Sequence, residues 1–156
     1  MRGLEKALSV AKYVVARCFE DGKPVNNISL NKILYLIQGE CQRRFGESCF
    51  TEDMEAWDFG PVVPKVYYHF CSRGAGKLDT HYDVEIKDKA VRFVIDEIIK
   101  ENEGDMPWDY TKKIKRKNGP YDMALKASKK TVICFRESRR HRGKILKKLL
   151  AKLLMK

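Results

Sequence analysis

The spacing of apolar residues predicts a mostly helical chain. Apolar side chains recur every three or four positions between residues 4 and 19, and the stretch Asp21-Gly22-Lys23-Pro24 ends this first helix. A second helix is expected after Ser29, which can cap its free amides, and Gly46 ends it. Because this second helix is apolar on more than one face, we expect it to lie at the centre of the core.

Shorter elements are predicted in the rest of the chain. Residues 49–59 favour a short strand that Gly60-Pro61 breaks, and Pro64 suits the first turn of a third helix. Apolar and polar residues alternate strictly over 78–87, which predicts a half-buried strand. Further helices are expected over 91–98, from Pro107 and over 121–128, and a Lys/Leu-rich amphipathic helix ends the chain.

Charged residues are distributed unevenly along the chain. The 156 residues carry a net charge of +11, yet residues 1–110 hold 15 basic and 19 acidic side chains, whereas residues 111–156 hold 17 basic and 2 acidic ones. A uniformly basic nucleic-acid-binding domain lacks this asymmetry. We therefore predict a mainly α fold with a small β element (α+β), as a compact single helical domain followed by a basic C-terminal helix.

Composition argues against several classes of protein. No apolar run approaches the roughly 18 residues that span a bilayer, and Glu5 with the amphipathic pattern after it is unlike a secretory signal. The five cysteines are odd in number and form no CxxC pair, which argues against a disulfide framework and a zinc ribbon. The expected localisation is the reducing environment of the cytoplasm.

One stretch imitates a metal-dependent active site. Asp79, Asp83, Glu85 and Lys87 would share one face of the predicted strand, and Glu85-x-Lys87 matches the acid-x-Lys end of nuclease motifs that hold Mg²⁺. The alternative is an edge strand whose charges prevent aggregation, and short acidic motifs match by chance often. We assign no catalytic residue, metal or cofactor and expect no enzyme, with a nuclease-like activity as the lesser alternative.

The stretch of residues 56–64 is the most distinctive local feature. It brings two large aromatic side chains, a forced turn and two prolines together within nine residues. Such residues either fill the core at a rigid strand–turn–helix corner or present a preorganised surface to another protein, because rigid aromatic side chains bind at a low entropic cost. The candidate partner-binding residues are Trp57, Asp58, Phe59, Gly60, Pro61, Val62 and Tyr67.

The basic C-terminal part suggests a different partner. Lysine and arginine at this density can contact phosphates, which would give salt-dependent binding of nucleic acid. The final amphipathic segment also suits a partner groove, an anionic membrane surface or packing on its own domain. The candidate nucleic-acid-binding residues are Lys112, Lys113, Lys115, Arg116, Lys117, Arg139, Arg140 and Arg142.

The second helix and the corner after it resemble the SocA-like antitoxin family, whose domain is called Panacea. The chain matches the family's helix pattern K-L-x-K-L-x-Y-x-x-Q-G from Leu30 onward, and residues 55–67 match the pattern E-A-W-x-Y-G-P-V-V-P-x-V-Y. A later G-P-Y motif is also present, although Lys115-Arg116 stand where the family has Thr-His. The family-motif residues are Lys32, Tyr35, Gln38, Gly119, Pro120 and Tyr121, and the resemblance covers roughly residues 4–133. It implies a Panacea domain over residues 1–133, followed by a basic amphipathic C-terminal tail over 134–156.

The resemblance implies a function that the residue patterns alone do not. It implies a cytoplasmic bacterial or phage protein that acts as the antitoxin of a toxin–antitoxin system. Such a protein neutralises a cognate toxin by direct protein–protein contact, and the family implies no catalytic residue and no cofactor. A nucleic-acid-binding module that acts through the basic C-terminal region is the alternative.

Overall fold

Helices dominate the observed architecture. The computed structural model describes residues 4–102 and 107–135, together with positions 151 and 154. Within these residues the helices are α1 (Ala7–Glu20), α2 (Asn27–Phe45), α3 (Pro64–Phe70), α4 (Lys89–Asn102), α5 (Pro107–Ile114) and α6 (Pro120–Ala127). The strands are β1 (Glu55–Trp57), β2 (Gly60–Val62) and β3 (Thr131–Val132). The prediction of a mainly α fold with a small β element is therefore confirmed.

Helix α2 lies at the centre of the core, as its apolar pattern predicted. It contacts α1, α3, α4, α5 and β2, and its apolar side chains Leu30, Ile33, Leu34 and Ile37 are fully buried. Its cap differs from the prediction, because Asn26 rather than Ser29 precedes the helix and its side chain accepts a hydrogen bond from the Ser29 amide (2.8 Å). Gly46 ends the helix in a left-handed conformation, as expected.

The first helix begins later than its apolar pattern predicted. Leu4 precedes α1 and is half exposed, and Phe19 near the helix end is also partly exposed. The Ala7 amide donates to Glu52 Oε2 (2.7 Å), so a distant carboxylate satisfies one free amide of the first turn. The inward face predicted around Ala11 and Val15 is fully buried.

The sheet is small and antiparallel, with β1 between β2 and β3. Gly60-Pro61 was predicted to break a strand, but these residues belong to β2 and pair with Trp57 and Ala56 across a tight hairpin. Proline is tolerated there because β2 is an edge strand of this sheet. Strand β3 was not predicted, since two residues cannot establish a period-two pattern.

The strand predicted over 78–87 was wrong, although its alternation of buried and exposed residues is observed. Leu78 and Ile86 are buried while Asp79 and Glu85 are exposed, yet the segment pairs with no other strand in the described part of the chain. Its backbone makes isolated contacts, such as the Leu78 amide donating to the Val25 carbonyl (2.7 Å). Alternation reports which face is covered, whereas a ladder needs a second strand alongside.

A hydrogen bond between α1 and α4 makes stability depend on alkaline pH. The Tyr13 hydroxyl donates to Asp96 Oδ1 (2.6 Å), and burial together with this carboxylate raises the pKa of Tyr13 from 10.0 to about 12. The unfolded chain therefore loses the Tyr13 proton first, and the stability contributed below pH 10 is lost as pH rises towards 12. We expect the difference in unfolding free energy between wild type and Tyr13→Phe, measured by urea denaturation, to narrow over this range. A difference that stays constant from pH 8 to pH 12 would contradict the assignment.

Candidate partner-binding surface

Four aromatic rings form one cluster at the hairpin and the start of α3. We call Trp57, Phe59, Tyr67 and Tyr68 the aromatic corner. Ring centroids lie 5.7 Å apart for Trp57 and Phe59, 5.2 Å for Trp57 and Tyr67, and 5.5 Å for Tyr67 and Tyr68. Phe59 is 39% exposed and Tyr68 is 60% exposed, while Trp57 and Tyr67 are half-buried beneath them. The corner therefore combines an accessible apolar surface with a packed base.

The backbone of the hairpin holds the aromatic corner in place. Gly60 has a φ of +142°, a conformation that favours glycine, and Gly60, Pro61 and Val62 are all buried. Pro64 then opens α3, as predicted, and directs Tyr67 and Tyr68 back towards Trp57. Seven residues were predicted to bind a partner. Three of them, Gly60, Pro61 and Val62, are buried and support the surface from below. The other four are accessible: Asp58 and Phe59 are exposed, and Trp57 and Tyr67 are partly exposed.

Charged side chains surround the aromatic corner. Asp58 forms an ion pair with Lys129 (3.2 Å), and the Lys130 ammonium lies 5.0 Å from the centre of the Trp57 ring. The Trp57 indole N–H donates to Glu55 Oε1 (3.1 Å). Sequence reasoning missed Tyr68, Lys129 and Lys130 as parts of this surface. Tyr68 follows Tyr67 directly, so the tyrosine pair was a usable signal. The two lysines lie in the turn before β3, far from the hairpin in sequence, and only the fold brings them to this surface.

Two family-motif tyrosines connect α2 and α6 to the hairpin. The Tyr35 hydroxyl accepts a hydrogen bond from the Tyr121 amide (3.1 Å), and the Tyr121 hydroxyl donates to the Trp57 carbonyl. Burial is the largest cause of the raised pKa of both phenols. Gly119 and Pro120 begin α6, and a Cβ on Gly119 would lie only 3.0 Å from the Arg116 carbonyl oxygen. These motif residues therefore act inside the fold.

Buried amide side chains connect α2 to the loops that cross it. Gln38 Oε1 accepts from the amides of Cys49 (2.8 Å) and Phe50 (3.4 Å), and its Nε2 donates to the Phe50 carbonyl (3.2 Å). Asn31 Oδ1 accepts from the Val63 amide (2.9 Å), and Asn27 Nδ2 donates to the Tyr67 carbonyl (2.9 Å). The sequence analysis did not identify Asn27 and Asn31 as buried hydrogen-bonding residues. Their spacing was a usable signal, because residues four apart share one face of a helix and this helix was expected to be central.

Lys32 is the remaining family-motif residue on α2, and it is 7% exposed. Burial, with a smaller contribution from Lys115, lowers the pKa of its ammonium group. Its stem packs beneath the hairpin turn, where a Cβ added to Gly60 would lie 3.1 Å from Lys32 Cε. Among the described residues Lys32 has no acidic partner within ion-pair distance.

The predicted nucleic-acid residues are only partly described by the structure. Lys112, Lys115, Arg116 and Lys117 are exposed around the end of α5, and Lys113 Nζ donates to Asn102 Oδ1 (2.6 Å). Arg139, Arg140, Arg142 and most of the predicted C-terminal helix lie outside the described residues. The predicted boundary assigns Phe135 to the tail. Its ring packs against that of Tyr35, with 5.3 Å between the ring centroids.

The acidic face proposed for metal-dependent chemistry does not assemble in the structure. Asp79 pairs with Arg73 (3.1 Å), His81 lies 3.1 Å from Glu20, and Asp83, Glu85 and Lys87 are exposed along a segment that is not a strand. Over residues 4–102 and 111–135, no group of three histidine, cysteine or acidic side chains lies close enough to hold a metal ion. No disulfide joins any of the five cysteines, all of which lie in the described ranges. No helix in the described ranges is both long and apolar enough to cross a membrane.

Comparison with known proteins places these features in a family. The model of the family described as "Antitoxin SocA-like, Panacea domain" matches residues 30–135, a range that contains the aromatic corner and every family-motif residue. The chain belongs to the SocA-like Panacea antitoxin family. Within this family, it is 34% identical over 68 residues to the antitoxin SocA of Caulobacter vibrioides (strain NA1000 / CB15N).

That alignment covers 44% of this Panacea chain and 36% of the Caulobacter protein, so it spans about a third of the relative's length. No solved structure matches the chain. The Panacea match begins at Leu30 within α2 and ends at Phe135 beyond β3. Helix α1, which packs on α2, precedes the matched range.

Proposed function

We propose that this Panacea-domain protein neutralises a toxin protein by binding it directly through the aromatic corner. The observation that carries the proposal is the pair of exposed rings, Phe59 and Tyr68, held on a hydrogen-bonded hairpin and helix. The family description and the name of the Caulobacter relative support an antitoxin role.

Preorganisation of the aromatic corner favours binding. Aromatic residues supply much of the binding free energy in protein interfaces, most effectively when they are already ordered before binding. Each ring of the corner packs against at least two other rings of the cluster, so little side-chain entropy remains to be lost. Asp58, Lys129 and Lys130 surround the rings with charges, which matches the polar rim of a typical interface.

The test is binding to the product of the gene adjacent to the one that encodes this chain. We expect the two proteins to co-purify and co-expression to relieve the growth inhibition caused by the partner. The double variant Phe59→Ser with Tyr68→Ser should weaken the complex by about 30-fold or more, as truncation of interface hot spots does. Because the double variant also loses ring contacts with Trp57 and Tyr67, urea denaturation must show that it is still folded under the conditions of the binding measurement.

The matched control is Phe93→Ser, since Phe93 is 61% exposed on α4 and lies outside the aromatic corner. This variant should bind the partner as the wild type does. Equal weakening by the control and the double variant would indicate a non-specific loss of surface hydrophobicity. A wild-type protein that neither co-purifies with the partner nor relieves growth inhibition would refute the antitoxin function itself.

A further inference from the structure

Lys32 lies directly beneath the turn that carries the aromatic corner. Its side chain is more than nine-tenths buried, and a Cβ on Gly60 would lie 3.1 Å from Lys32 Cε and 3.7 Å from Lys32 Cγ. Gly60 pairs with Trp57 across the hairpin, so the lysine stem and the aromatic rings belong to the same structural unit. The absence of a side chain at Gly60 leaves the room that the lysine stem occupies.

The charge of Lys32 is not neutralised within the described structure. No carboxylate of the described residues forms an ion pair with it, and the neighbouring charge that acts on it most strongly is the positive Lys115. Among the described residues, one fully buried side-chain oxygen or nitrogen lacks a hydrogen bond, and it is Glu47 Oε2. The Lys32 ammonium is therefore not fully buried and still reaches solvent. A recessed cation without a counter-ion has lost part of its hydration in the free protein.

We propose that Lys32 is an anion-binding point for a carboxylate of the partner protein. An aspartate or glutamate side chain, or a C-terminal carboxylate, would form an ion pair with the Lys32 ammonium while apolar atoms beside it cover Phe59 and Tyr68. The inference rests on the proposed function for the identity of the partner. Burial in the free protein has already removed part of the hydration of the lysine, so an incoming carboxylate gains the ion pair at a reduced desolvation cost.

The surroundings of Lys32 favour a protein carboxylate over a nucleic-acid phosphate. Nucleic acids are held by rows of cations that contact successive phosphates, whereas the turn above Lys32 carries aromatic rings. A single carboxylate flanked by apolar atoms fits one recessed cation beside an aromatic surface.

The test uses small probes on the full chain and needs no toxin. The probes are N-acetyl-phenylalanine, which joins a carboxylate to an aromatic ring, its neutral amide, and inorganic phosphate, each titrated at constant ionic strength. The Lys32 Cε resonance is followed by NMR in lysine-labelled protein. We expect saturable shifts with the carboxylate, at least fivefold weaker binding of the amide and of phosphate, and loss of the preference in Lys32→Met.

Lys32→Met keeps the buried stem and removes the charge, so its melting temperature should equal or exceed that of the wild type. Lys87→Met, at an exposed lysine, is the matched control and should keep the preference. A Lys32 resonance insensitive to the carboxylate overturns the proposal, as does tighter binding of phosphate or of a short DNA duplex. If the toxin binds wild type and Lys32→Met equally, this inference fails while the antitoxin function stands. If the probes bind as expected but no toxin does, the antitoxin function fails and the anion site remains.

Discussion

Replacing Gln38 with leucine is expected to lower the unfolding free energy by about 3–5 kcal/mol, because three buried backbone groups lose their partner at once. The amides of Cys49 and Phe50 donate to Gln38 Oε1, and the Phe50 carbonyl accepts from Gln38 Nε2. Leucine fills a similar volume, so the loss reports on the hydrogen bonds rather than on a cavity. Urea denaturation followed by circular dichroism measures the change.

Two variants make the Gln38 prediction specific. Gln42→Leu lies one turn further along α2 at a partly exposed position, and we expect it to change the unfolding free energy by less than about 1 kcal/mol. Gln38→Glu keeps the acceptor oxygen and loses the donor, so it should regain part of its lost stability at acidic pH, where the carboxyl group can donate again. A Gln38→Leu variant as stable as Gln42→Leu would show that water replaces the missing bonds.

Truncating Tyr121 to alanine is expected to cost about 3–5 kcal/mol of unfolding free energy, since it empties a fully buried aromatic site. Tyr121→Phe isolates the hydroxyl group, which donates to the Trp57 carbonyl, and should cost about 1–2 kcal/mol. Because that carbonyl belongs to the hairpin, Tyr121→Phe should also loosen the aromatic corner. Faster amide hydrogen exchange at the hairpin would report the loosening.

The control for Tyr121 is Tyr68→Phe, which removes a hydroxyl group from an exposed ring and should leave stability unchanged. If Tyr121→Phe is equally silent, the bond to Trp57 contributes nothing to the fold. If Tyr121→Phe destabilises the protein without changing exchange at the hairpin, the effect of the hydroxyl does not reach the aromatic corner.

Predictions that depend on local interactions agreed best with the structure. The apolar periodicity of α2, the glycine that ends it and the proline that opens α3 all act within a few residues of the chain, and each was confirmed. The resemblance to the Panacea family rested on a contiguous string of residues, and the family match confirmed it. Helix caps were less predictable, because Asn26 and Ser29 both suit a cap and the competition is decided by the path of the preceding loop.

Predictions that depend on distant partners failed or were incomplete. Residues 78–87 have the pattern of a strand, but no other strand lies beside them in the described structure. Residues 57–62 were predicted to form one surface. In the structure Gly60, Pro61 and Val62 are buried, whereas Asp58 and Phe59 are exposed. A tight hairpin turns consecutive residues to opposite sides, and burial then depends on what the rest of the chain places against each side.

The sequence by itself determined the helices that the structure describes, the family and three of the four rings of the aromatic corner, because each depends on residues close together along the chain. The tertiary structure alone decided what the polar residues of α2 do. Gln38, Asn31 and Tyr35 became internal hydrogen-bond partners because the chain at Cys49, Val63 and Tyr121 folds back across the helix and brings unsatisfied backbone groups to them. Lys32, on the same helix, has no acidic partner among the described residues. We therefore regard Lys32 as a candidate binding residue, whereas Gln38, Asn31 and Tyr35 make structural contacts.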